Sequence, residues 1–181
     1  MELTLLRHAP PTPAYHGRYI GHTDIRIDEA LFEHDKIKHL IHQQYDRVYS
    51  SDLVRCTATL QQMGFDHFIT DTRLREVRFK SSIEGKNFAE IEAMEDFDPA
   101  SLDSQERWHR TVCDEPLEAF RGRIQSFLDE LPKNERILIC SHAGTITMLM
   151  SLLNPEIVPS SLGYLDHVVL SYPQPSFPFL G

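Results

Sequence analysis

Two almost wholly apolar runs, Leu3-Thr4-Leu5-Leu6 and Ile137-Leu138-Ile139-Cys140, most restrict what this chain can become. Each is too short for a helix and too continuous for a strand with one wet face, so each reads as a strand buried on both sides. Between and around them the apolar period alternates. Over 28–44, Leu31, Ile37, Leu40 and Ile41 recur at helical spacing with Asp28 as N-cap. Residues 47–50 read as a second strand, 52–63 as a helix closed by Gly64, and 67–71 as a third strand. Alternating strand and helix predicts an α/β fold, a three-layer α/β/α sandwich on a mainly parallel central sheet.

From 75 to 115 the pattern loosens and turns acidic, with 87–95 as its one clear helix, so this segment is assigned to a lid or cap inserted after the third strand. Helical periodicity returns from Leu117 to Leu131, and a helix over 145–153 and a last strand over 165–172 follow the second buried run. The tail, with Pro173, Pro175 and Pro178, reads as a surface strap. At 181 residues the chain suits a single domain, 1–181, that buries roughly 70% of its unfolded surface.

Composition narrows the class. With 41% hydrophobic and 25% charged residues, and no run of about 18 apolar residues, a membrane span is not expected. The opening residues carry neither a basic leader nor a cleavage site, which predicts a cytoplasmic protein. Cys56, Cys113 and Cys140 are odd in number and lack CxxC spacing, so they read as reduced thiols. His39 and His42, at i and i+3, have no third ligand nearby and read as a solvated face; no metal or other cofactor is expected. A net charge of -9 opposes nucleic-acid binding, so an anionic ligand must meet a local cationic pocket.

Such a pocket is legible. Ligands of parallel α/β sheets bind beyond the C-terminal ends of strands, where Arg7-His8, Ser50-Ser51-Asp52-Leu53-Val54-Arg55 and Ser141-His142 all fall. Two arginines and two histidines meeting there suit a phosphoryl group: guanidinium forks bind its oxygens, and a neutral imidazole can attack phosphorus.

In this order the segments become more specific. Leu5-Leu6-Arg7-His8-Ala9, the run from Tyr49 to Thr59, Leu74-Arg75-Glu76 with Glu84-Gly85, and Ser141-His142-Ala143-Gly144 resemble the histidine phosphatase (phosphoglycerate mutase-like) superfamily over essentially the whole chain. The resemblance implies that His8 is the nucleophile and that Arg7, Arg55 and His142 surround the transferred phosphoryl group. It places Glu76 as the proton donor to the leaving oxygen, with Glu84 the alternative. Catalysis of this kind requires the other nitrogen of His8 to donate to a backbone carbonyl. His142, if protonated, would add a third cationic donor, and the helix near Gly144 would aim its positive end at the phosphate.

Departures from the family pattern bear on substrate. Ala9-Pro10-Pro11 replaces the common Gly, acidic or amide, Thr step, and Gly21-His22-Thr23-Asp24 resembles the small-phosphatase branch that includes α-ribazole phosphatase. A small soluble phosphomonoester is therefore expected, with α-ribazole 5′-phosphate the best single substrate and sugar phosphates next. A phosphoglycerate-type mutase and a non-catalytic phospholigand-binding protein are the alternatives. His22, Thr23 and Glu84 are candidate substrate contacts, as is His16; Trp108 and His109 are assigned to packing. Phe177, Phe179 and Leu180 hint at a homodimer.

Overall fold

The computed structural model describes residues 1–156 and 162–171; the predicted strap and the apolar tail lie outside them. Five strands form one sheet in the order β3-β2-β4-β1-β5. These are β1 (Glu2–Arg7), β2 (Arg47–Ser50), β3 (Ile69–Thr70), β4 (Arg136–Ser141) and β5 (His167–Ser171). All pairings are parallel except that of β5 with β1. The fold is thus mixed α/β on a mostly parallel sheet, as the alternating periods require.

The two apolar runs became the central strands β1 and β4, and their alternate residues feed opposite cores. Leu3, Leu5, Ile137 and Ile139 pack beneath α5 (Leu117–Asp129) and α6 (Ala143–Leu153). Leu6, Leu138 and Cys140 face the other way, toward α1 (His34–Ile41) and α2 (Val54–Gln62). Both faces of a residue pair in such a strand are dry, which is why neither run could alternate with polar side chains. The three cysteines are free and buried. No helix among the described residues is long and apolar enough to cross a membrane.

Two expectations need correction. The predicted helix over 28–44 is two pieces: Asp28 caps a single 3₁₀ turn, Glu29–Leu31, by accepting from the Ala30 N–H at 3.1 Å, and α1 begins only at His34. The segment 75–115 contains two α-helices rather than one, α3 (Phe88–Glu92) and α4 (Gln105–Val112). Asn87 and Glu90 close a capping box on α3, and Ser104 caps α4. His39 does not pair with His42; its Nε2 lies 3.0 Å from that of His167 on β5.

Leu5 is fully buried in β1, between β4 and β5. Leu5→Ala should lower the unfolding free energy by about 2–5 kcal/mol, read as a shift in the urea midpoint with an unchanged slope.

Candidate active site

Strand register brings the predicted groups together. Arg7 pairs with Ser141 across β1 and β4, and Ser50 with Cys140 across β2 and β4, so three adjacent strands end at one level. The next residue on each, His8, His142 and Ser51, therefore emerges at the same edge. The ring centroids of His8 and His142 are 5.2 Å apart.

His8 is buried, and its Nδ1 lies 2.7 Å from the Ala9 carbonyl oxygen. Nδ1–H donates there, which leaves the Nε2 lone pair free. Burial, together with the neighbouring Arg55 and Arg7 charges, holds the imidazole pKa well below the usual 6.5. The ring is neutral at physiological pH, the form that can act as a nucleophile.

His142 differs from expectation. Its Nδ1 accepts from Arg55 Nε at 3.1 Å and its Nε2–H donates to Ser51 Oγ at 2.9 Å. A ring whose Nδ1 is an acceptor carries no charge, and burial pushes its pKa well below the usual value, with Arg55 adding to the effect. His142 is thus a neutral wedge that orients Arg55, rather than a third cation.

Arg55, in the first turn of α2, is 1% exposed. Its two terminal nitrogens donate to the carbonyl oxygens of Thr23 and Gly21 at 2.9 and 2.7 Å. Asp24 accepts from the Val54 N–H at 2.7 Å, so the Gly21-His22-Thr23-Asp24 loop is fastened to the start of α2 at several points. Arg7 is held differently. It donates to the Leu162 carbonyl, and its guanidinium lies 4.0 Å from the Tyr164 ring centroid. Its buried Nε has no partner among the described residues, and burial pulls its pKa down. Neither arginine has a carboxylate within salt-bridge distance among the described residues. Tyr164 is set by an unusual turn: the buried Leu165 after it has φ 60°, a strained left-handed backbone for a residue with a branched side chain.

Glu76 is buried beside these groups, with its oxygens accepting from the N–H groups of Val77, Gly144 and Thr145 at 3.0, 3.0 and 3.1 Å. The positive end of α6 is therefore occupied by a carboxylate and is not open to phosphate, another departure from the sequence reading. A Cβ at position 144 would come within 2.5 Å of Glu76 Oε1, so any side chain there would push the carboxylate aside. The backbone of Glu76 is fixed in turn by Arg123, which donates to the carbonyls of Arg75 and Glu76, and by His22, whose Nε2 lies 2.9 Å from the Glu76 carbonyl oxygen.

Arg7, His8, Arg55, Glu76 and His142 line one cavity of about 140 Å³. Glu84, His22 and Thr23 do not. They line a separate open cleft of about 760 Å³, where Glu84 accepts from the N–H groups of Gly21 and Thr23. Another hollow, of about 420 Å³, lies around α4 and the start of α5, away from both histidines. His16 bonds the Pro11 carbonyl, and Trp108 packs on Tyr19 and Phe88. His109 bonds the Glu115 carbonyl and stacks on Phe120. Sequence reasoning missed Arg18, Tyr19 and Tyr164, which also line the small cavity. Arg18 lies between His16 and His22, two of the candidate substrate contacts; nothing in the spacing marked Tyr164. Among the described residues no three His, Cys, Asp or Glu side chains gather as metal ligands.

The model of the histidine phosphatase superfamily (branch 1) matches residues 3–171. The chain belongs to that superfamily. It is accordingly an enzyme with phosphatase or mutase chemistry. No curated protein sequence matches the chain. Among solved structures, TTHB049 from Thermus thermophilus is 23% identical with a TM-score of 0.71, the match covering 96% of this chain and 95% of that one. Phosphoglycerate mutase from the same organism is 23% identical with a TM-score of 0.69, covering 96% and 94%. Phosphoglycerate mutase from Bacillus anthracis str. Sterne is 18% identical with a TM-score of 0.74, covering 94% and 88%. At these identities the three neighbours show the shared fold.

The two buried neutral imidazoles link stability to pH. Both have folded pKa values depressed below 6.5, so the unfolded chain takes up their protons first. Their contribution is complete above about pH 6.5 and is lost as the pH falls from there toward the folded values. Urea midpoints should therefore decline between about pH 7 and about pH 5, less steeply in His8→Gln; parallel profiles would show that His8 is not buried neutral.

Proposed function

We propose that the chain is a phosphomonoester hydrolase that works through a phosphohistidine on His8. The observation that carries this reading is the fixed tautomer of His8, with Nδ1 spent on Ala9 and Nε2 free beside two arginines that lack carboxylate partners among the described residues. Nε2 attacks phosphorus, the P–O bond to the alcohol breaks, and Arg7 and Arg55 balance the charge on the equatorial oxygens. Glu76, the one acidic side chain lining the cavity among the described residues, gives a proton to the departing alcohol as the carboxylic acid and, as the carboxylate so formed, takes one from the water that hydrolyses the phosphohistidine. The lining favours Glu76 over Glu84 for this task. His142 acts by holding Arg55. No metal is needed, since the nucleophile and the counter-charges are all side chains.

The segment 75–115 contributes Glu76 and Phe79 to the cavity and acts as its cap. For substrate, α-ribazole 5′-phosphate is the first candidate on the Gly21-His22-Thr23-Asp24 step, followed by sugar phosphates, in a cytoplasmic setting. Because two similar structures are phosphoglycerate mutases, a mutase is the second reading. A mutase must keep the phosphate on His8, so a phosphohistidine that survives in water for many turnover times would favour it.

Phosphate release from α-ribazole 5′-phosphate, sugar phosphates, phosphoglycerates and p-nitrophenyl phosphate should persist in EDTA. It should fall on the order of a thousandfold in His8→Ala and roughly a hundredfold in Arg7→Ala. Unchanged rates in His8→Ala would overturn the covalent route.

Glu76→Gln should slow alkyl phosphates far more than p-nitrophenyl phosphate, whose nitrophenolate departs without protonation. Equal losses on both would remove Glu76 from proton transfer.

A further inference from the structure

The cavity lining is of two kinds. Arg7, Arg55 and His8 are the groups for a phosphoryl anion, whereas Tyr15, Tyr19, Phe79 and Tyr164, with Ile20 and Ile25, supply rings and apolar surface around them. These rings are braced. Tyr19 meets Phe79 edge-on at 5.3 Å and 88°, and Tyr164 is held against the Arg7 guanidinium. Tyr15 is the most open, 37% exposed, and no side-chain hydrogen bond ties it to a described residue.

One further cation lines the cavity, Arg18, and it is already engaged. Its NH1 nitrogen lies 2.7 Å from Glu90 Oε2 and donates also to the Gly85 carbonyl, while Nε donates to the Ala14 carbonyl. Arg7 and Arg55 therefore offer positive charge without a carboxylate partner among the described residues, and the rings offer flat apolar faces, while the further cation is paired with Glu90. A second anionic group on a ligand, with Arg7 and Arg55 taken by the phosphoryl oxygens, would find only the already paired Arg18 among the described lining residues, and a lining that also carries Glu76.

We propose that the site selects a phosphomonoester whose alcohol carries a flat, uncharged ring and no second anionic group. The ring lies among Tyr15, Tyr19, Phe79 and Tyr164 while the phosphoryl group lies on Arg7 and Arg55. This rests on the phosphatase reading and sets the class of its substrate. Aromatic contacts of this kind add a factor of roughly two to ten beyond simple burial.

The test compares kcat/KM for benzyl phosphate, glycerol 3-phosphate and 3-phosphoglycerate, all esters of alkyl alcohols, so that leaving-group chemistry does not decide the order. Benzyl phosphate should exceed both others at least about tenfold. In Tyr15→Ala the benzyl-to-glycerol ratio should fall about fivefold, through KM. Glu90→Gln keeps an acceptor for Arg18 but removes the charge, and should raise the ratio of 3-phosphoglycerate to benzyl phosphate severalfold. Equal turnover of the three esters, or unchanged ratios in both variants, would overturn the selectivity and leave the phosphatase standing. Silence on all three and on p-nitrophenyl phosphate would overturn the phosphatase reading and the selectivity with it.

Discussion

A guanidinium removed from water must have its N–H groups met by acceptors, because an unpaired buried charge costs several kcal/mol. Arg55 solves this with one nitrogen of His142 and the carbonyls of Gly21 and Thr23. Much of the site follows from that solution. Accepting from Arg55 forces His142 into its neutral Nε2–H form, which in turn donates to Ser51 at the end of β2. The carbonyl contacts draw the loop before Asp24 over the cavity, and Asp24 then caps α2, the helix that carries Arg55. Thr59 extends the same tie, accepting from the Ala9 N–H and donating to the Arg55 carbonyl, so the His8 loop and α2 are registered on each other.

The sheet supplies the other fixed frame. Parallel β1, β2 and β4 end side by side, and the polar residues that follow them emerge where the helices no longer cover the strands. This is why a chain with a net charge of -9 can present a cationic patch at one point: the acidic residues lie largely on solvated helices and loops, and the strand ends admit only what the register places there. Arg75 is kept out of the cavity by its paired bonds to Asp52, which anchor the Glu76 segment to the end of β2.

The legible parts of the fold and site were those where one short segment carries its own signal. Apolar runs announced β1 and β4, and the residues directly after them, Arg7, His8 and His142, needed no tertiary knowledge to be placed at a sheet edge. The start of α1 was misread because Leu31 continues the helical apolar period through a separate turn. Helix α4 was missed because only Trp108 and Val112 mark its inner face; its other residues are polar, and Arg110 is paired with Glu106 across one turn. The charge state of His142 depends on Arg55, far away in sequence, and the place of Tyr164 depends on a strained turn at Leu165. Neither leaves a trace in spacing.

The position of Glu76 raises a physical question, since a carboxylate lining the same cavity as Arg7 and Arg55 would be expected to pair with one of them. Its surroundings answer it. The N–H groups of Gly144 and Thr145, at the positive end of α6, compensate the carboxylate locally, so it does not need to neutralise Arg7 or Arg55. Those two guanidinium groups keep their charge for an anion in the cavity, the phosphoryl oxygens of the proposed mechanism. The α6 N-terminus, which in many folds holds the phosphate itself, here holds the carboxylate to which the proposed mechanism assigns the proton. The close packing this requires explains why position 144 has no side chain: a methyl group there would displace the carboxylate from both N–H groups and return its charge to the cavity.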